Sequence, residues 1–225
     1  MGYTLQFGQV LTHLPYLLAG ALISLELAFL SFCGGVVLGL LGAIGRVHGG
    51  RVISGLVRAY VVFFTNTPQL VQIYVIFFGL PDFGILLSPF TAVLLGMTLN
   101  AAAYLVEIQR SGLASVHRPE IEAAQVLGMS RLQSLRYVTL PHMVRTLFPP
   151  LSNQYIIMTL GTSMAAIFGV EELTGRALNL NATTFRSIEI FTITAGIYVV
   201  LTIVATGLLS LFGRTLFRAR IGWTL

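Results

Sequence analysis

The sequence predicts an all-α fold: a polytopic membrane protein with about five transmembrane helices and one short helix in the loop between the third and fourth. Three observations predict it. Hydrophobic residues make up 56% of the 225 and charged residues only 9%, with a mean hydropathy of +0.86, which is too apolar for a soluble domain. The apolar residues fall into five runs, 15–44, 56–80, 86–109, 142–170 and 188–213, each long enough for the ~20 residues a spanning helix needs. The 13 basic residues, all arginine, are segregated. Arg46, Arg51 and Arg58 border the first loop, Arg110, Arg118, Arg131, Arg136 and Arg145 the third, and Arg214, Arg218 and Arg220 the C-terminal tail. Only Arg176 and Arg186 fall on the opposite side, so the positive-inside bias puts the N-terminus outside and the C-terminus in the cytoplasm. The net charge of +5 is then an orientation signal with a weak attraction for anionic membrane lipid, and it implies no nucleic acid.

The first run should remain as a span, because residues 1–13 carry no positively charged stretch and no clear small-residue cleavage site follows. Glu26 sits about ten residues into it among apolar neighbours, so its carboxylate must be protonated, paired or facing water. It is a candidate for attracting a substrate amino group, for pairing with a partner chain, or for a place in the outer interface. Cys33, the single cysteine, has no disulfide partner within the chain and reads as a small buried apolar residue. Gly34-Gly35 suits close helix packing better than phosphate binding.

The second run is interrupted by Thr65, Asn66, Thr67, Pro68, Gln69 and Gln72, and a kink is expected at Pro68. Hydrocarbon disfavours such a cluster, which leaves two readings: hydrogen bonding between helices, or the lining of a polar path beside backbone groups freed by the proline. In the third run Glu107 and Arg110 are one turn apart and should form an i,i+3 ion pair. The loop at about 110–141 begins a helix at Pro119, where no amide donor is needed, with Glu120 and Glu122 near its positive end and Gly128 suited to a left-handed cap. Ala123 and Ala124 would let another protein's backbone approach closely, and Ser130 should cap a second helix running to Pro141.

Glu122-Ala123-Ala124, three residues, Gly128, nine residues, Val138, one residue and Leu140-Pro141 together resemble the EAA loop of permease subunits of bacterial ATP-binding-cassette importers. Val138 stands where the family usually has Ile. The resemblance implies a single transmembrane permease domain over 1–225 whose cytoplasmic coupling helix docks on an ATPase through Glu122, Ala123, Ala124 and Gly128. It also implies a second permease subunit, identical or homologous, two ATP-binding subunits, an extracytoplasmic substrate-binding protein and a place in the bacterial inner membrane. ATP and Mg would belong to the ATPase, leaving this chain without a cofactor.

Asn66 to Gln72, continuing to Phe78-Gly79-Leu80-Pro81, further resembles the second-span signature of polar amino-acid importers. Tyr104 to Ile108 with Arg110 and Gly112, Leu147 to Asn153, Thr162-Ser163, Glu172-Leu173, and Thr184-Phe185-Arg186 with Glu189 follow in that subfamily's order. One departure stands out: the subfamily usually carries Lys with Asp or Asn just before Thr-Ser, and here Leu160-Gly161 stand there. The resemblance implies alternating access, with Glu26, Asn66, Thr67, Gln69, Gln72, Thr162 and Ser163 as substrate-path candidates and an altered ligand site.

His13, His48, His117 and His142 show no metal-ligand spacing, and no nucleophile–base pairing or nucleotide-binding loop is visible, so neither a metal nor a catalytic site is expected. The competing class is a stand-alone channel or a membrane-embedded enzyme.

Overall fold

The computed structural model describes residues 4–116 and 118–217; His117, Arg218, Arg220 and the first three residues lie outside that range. Among the described residues the regular secondary structure is all helical, with the α-helices in the order α1 (Phe7–Leu11), α2 (Leu14–His48), α3 (Gly50–Thr65), α4 (Gln69–Tyr74), α5 (Pro89–Ala114), α6 (Arg118–Val126), α7 (Arg131–Ser134), α8 (Leu140–Gly161), α9 (Leu173–Thr184) and α10 (Ser187–Phe217). Three stretches, Leu14–His48, Pro89–Ala114 and Ser187–Thr215, are each long and apolar enough to cross a membrane alone. Two more form bent pairs: Gly50–Thr65 with Gln69–Phe83 at 105°, and Arg131–Phe168 with Leu173–Thr184 at 45°. Counted as one span each, these give the five that the apolar runs predict. The expected kink at Pro68 is a right-angled break, and the fourth span runs beyond 170 through α9.

Between helices in hydrocarbon there is little hydrophobic drive, so packing depends on close backbone approach. The most extensive contact joins α2 to α5. Ala101 and Ala102 are buried there, and a Cβ added at Gly39 would stand 2.7 Å from Leu105 Cβ, a separation only glycine avoids. Gly35 meets Ala101 and Leu105 in the same seam, as the packing reading of Gly34-Gly35 requires. The most apolar stretch of α5 is 56% buried against 11% for α10, which makes α5 central and α10 peripheral. Cys33 is exposed on the outward face of α2. Its depth along the helix is readable from sequence, but the rotation that decides its burial is not.

The two segregated arginines lie at the end that carries the N-terminal residues. Arg176 donates to Tyr16 O at 2.9 Å with its guanidinium over the Tyr16 ring, and Arg186 pairs with Glu189 at 3.2 Å and donates to Gln6 Oε1 at 2.9 Å. At the other end Glu107 takes both Arg110 at 2.8 Å, as expected, and Arg46 at 3.6 Å, tying the end of α2 to α5. Pro141 lies in the first turn of α8, and a π-type turn over Leu135–Thr139 joins α7 to it. The helix expected to end at Pro141 therefore continues into the span, with the π-type turn directly before the proline widening the backbone where the ring has no N–H to give.

Candidate functional site

The loop between α5 and α8 is built from two opposed caps. Gly128, at φ +75°, lets its own N–H reach Gln125 O at 2.9 Å while Met129 N–H reaches Ala124 O at 3.0 Å, closing the end of α6. Two residues later Ser130 Oγ accepts from Gln133 N and Gln133 Oε1 accepts from Ser130 N, a capping box that opens α7. Chain reversal is thus fixed locally. Glu122 and Ala123 are exposed, whereas Ala124 is only 2% exposed and turns toward its own chain. The predicted two-alanine face is therefore corrected to Glu122 and Ala123 flanked by Val126 and Leu127, which are 88% and 75% exposed. Glu120 ties α6 to α8 through His142 Nδ1 at 3.5 Å.

The break in the second span is held by side chains that answer the carbonyls it frees. Pro68 has no N–H and is extended, at φ −62° and ψ 133°, so the last turn of α3 loses its continuation. Thr67 Oγ1 donates to Phe63 O at 2.8 Å, while Asn66 Nδ2 adds a second bond, at 2.8 Å, to Val62 O, which the Asn66 backbone N–H already serves. Gln72 Nε2 reaches Phe64 O at 2.9 Å, Thr67 O at 3.1 Å and Thr67 Oγ1 at 2.6 Å, and Gln72 Oε1 accepts from Asn100 Nδ2 at 3.0 Å. Gln72 is thereby buried and fully committed. It is a brace, and the path assignment made for it from sequence is withdrawn.

Beside this break lies a cleft of about 590 Å³. Of the predicted path residues, Asn66, Thr67 and Gln69 line it; Thr65, Asn100 and Tyr104 join them, with Gln154, Ile157 and Met158 on the α8 wall. Three of the predicted candidates lie elsewhere. Thr162 is buried and donates to Thr159 O at 2.7 Å, and Ser163 donates to Leu160 O at 2.9 Å, so both hydroxyls are spent inside their own helical turn. Glu26 faces a separate cleft of about 770 Å³ between α2, α8 and α10, walled by Phe29, Phe32, Tyr155 and Phe212. It does not join the polar group at the break.

Asn100 and Gln154 were missed in the sequence reading, although each is an amide in an apolar run and so carried the same signal as Gln69. A buried carboxylate was also missed as such. Glu172, 0% exposed, accepts from Ser24 Oγ at 2.9 Å, Tyr198 OH at 3.0 Å and Gly175 N at 2.9 Å, capping α9 and joining it to α2 and α10.

The model of the family described as "Binding-protein-dependent transport system inner membrane component" matches residues 35–218. The chain belongs to this family. As a member it is a multi-pass inner-membrane permease subunit of an ATP-binding-cassette transporter. This permease is 37% identical over 198 residues to the glutamine transport system permease protein GlnP of Escherichia coli strain K12, covering 87% of this chain and 90% of that protein. It is 35% identical over 184 residues to the probable amino-acid permease protein YckA of Bacillus subtilis strain 168, covering 82% and 81%. A crystal structure of an amino acid ABC transporter with histidines matches 95% of this permease and all of its own chain, with a TM-score of 0.87 at 33% identity. The MetNI methionine transporter in an inward-facing conformation shares the fold, with a TM-score of 0.66 at 21% identity.

Proposed function

We propose that this permease carries a polar amino acid, or a similar small zwitterion, inward by alternating access driven by ATP hydrolysed on a separate subunit. The observation that carries the reading is the α6–α7 turn: a rigid, doubly capped projection with Val126 and Leu127 exposed, a shape suited to transmitting force from a docked partner. The similarity to GlnP and YckA supports an amino acid as cargo. Five spans do not by themselves enclose a gated path, so the working assembly contains a second permease subunit, identical or homologous. Two ATP-binding subunits holding ATP and Mg dock on Glu122, Ala123 and the turn at Gly128, and an extracytoplasmic binding protein delivers the substrate. The permease lies with its N-terminus outside and its C-terminus in the cytoplasm, as the arginine distribution supports.

Uptake of a radiolabelled amino-acid panel by proteoliposomes containing the complete transporter tests this reading. ATP-dependent accumulation of a polar amino acid is expected, and ATP-independent flux would support a stand-alone channel instead. Gly128→Val places a β-branched residue at φ +75° in open space, so it strains the turn without a clash. ATP hydrolysis is expected to persist while uptake falls at least about tenfold; unchanged uptake with the ATPase bound would remove the docking assignment. Reporters after Arg220 and near Asp82 should read cytoplasmic and external, and a reversed pair would overturn the orientation.

A further inference from the structure

The amides around the break divide into two sets. Gln72 and Asn100 are bonded to the freed carbonyls and to each other. Gln69 and Gln154, both half-buried in the lining of the cleft, make no hydrogen bond to any described residue, and neither does the hydroxyl of the more exposed Tyr104 that lines it with them. Gln69 Oε1 faces Gly161, where an added Cβ would lie 3.8 Å from it and 3.7 Å from the apolar Met164 Cε, so the neighbour at that spot is no hydrogen-bond partner. In the half-buried wall of a membrane protein, an unanswered amide costs free energy unless water or a ligand completes it.

The lining is also chemically uniform. Its polar members are amides and hydroxyls, with Met97, Ala101, Ile157 and Met158 among the lining, and the carboxylate of Glu26 lies in the other cleft. The zwitterionic head is common to all amino acids and does not discriminate among them; the side chain does. A charged side chain entering this cleft would lose hydration with no opposite charge to meet it, whereas a carboxamide or hydroxyl would find donors and acceptors.

We infer that Gln154, with Gln69 and Tyr104, is a specificity-determining element that selects solutes with an uncharged polar side chain over their anionic and cationic counterparts. This rests on the reading of the chain as an amino-acid importer subunit. Each glutamine amide offers both a donor and an acceptor, so it pairs with a carboxamide in two bonds but leaves a carboxylate facing its own oxygen.

The test is ATP-driven uptake of glutamine, glutamate and arginine by proteoliposomes of the complete transporter, with saturating binding protein. Wild type should favour glutamine. Gln154→Leu should lower glutamine uptake about tenfold with ATP hydrolysis and melting temperature retained, Gln154→Asn should restore part of it, and Gln154→Glu should raise the arginine-to-glutamine ratio about tenfold. Wild-type rates and ratios in folded Gln154→Leu and Gln154→Glu transporters would overturn the inference while leaving the importer reading intact. Absence of ATP-driven uptake of any amino acid by wild type would remove both.

Discussion

The second and fourth spans are both broken, and they are broken by different chemistry. At the first break the chain turns by 105° across Asn66 to Pro68, and the freed carbonyls are answered by side chains, with Gln72 and Asn100 bridging α4 and α5. At the second it turns by only 45°. There Gly169, at φ +83°, closes the preceding turn through its own N–H to Ala166 O at 3.1 Å and Val170 N–H to Ala165 O at 3.2 Å, and Glu172 opens α9. Prolines do not explain the difference. Pro149 and Pro150 lie inside α8, which runs unbroken from Leu140 to Gly161. A span breaks here where polar groups wait on both sides to take over its backbone hydrogen bonds, and the wider break leaves a cleft.

The largest effect is expected at the second break. Glu172→Leu would strip the acceptor from Ser24 Oγ, Tyr198 OH and Gly175 N together, the first and last of these bonds buried and the Tyr198 one part-buried. A loss of about 3 kcal/mol is expected from leaving buried donors unanswered. Melting of the purified transporter measures it, and a variant as stable as wild type would show that the cap is dispensable and the break is held by Gly169 alone.

Gln72→Leu attacks the first break in the same way with a smaller expected loss of about 2 kcal/mol, since Thr67 and Asn100 still answer part of the freed backbone. A double-mutant cycle with Asn100→Ala should return a coupling of about 1 kcal/mol. Additive losses would mean that the 3.0 Å contact between the two amides contributes nothing of its own.

How much of this was legible depended on the distance between cause and effect along the chain. The turn at Gly128 and Ser130 was readable because a positive-φ glycine and a Ser–Gln capping box act within a few residues. The five spans were readable from apolar length, and the Glu107–Arg110 pair from helical spacing. The site of the break followed from Pro68. Its 105° angle did not, because it depends on Asn100, 28 residues beyond Gln72. Rotation about a helix axis was the other blind spot. Glu26 drew attention for its depth and is exposed, while Glu172 drew none as a charge and is sealed. Thr162 and Ser163 looked available because hydroxyls bonding back to the preceding turn leave no mark in a sequence.

The smallest effect on stability separates two neighbours that sequence treated alike. Asn66 is exposed and bonds back to Val62 O, which already accepts from the Asn66 backbone N–H at 3.2 Å, so the side-chain bond is a second one to a carbonyl already served. Gln69 makes no hydrogen bond to any described residue and faces the cleft. Asn66→Leu should therefore lower stability by about 0.5 kcal/mol, and Gln69→Leu by less, because it breaks no bond within the protein. Uptake should rank them the other way. Gln69→Leu removes an amide that only a solute or water can answer and should cut transport of an uncharged polar amino acid about tenfold, whereas Asn66→Leu should cut it only about two- to threefold. Uptake kinetics and melting temperature measured on the same two purified variants decide the matter. If Gln69→Leu destabilises the fold and leaves uptake unchanged, the first break is purely a structural joint like the second, and the difference between them is one of angle alone.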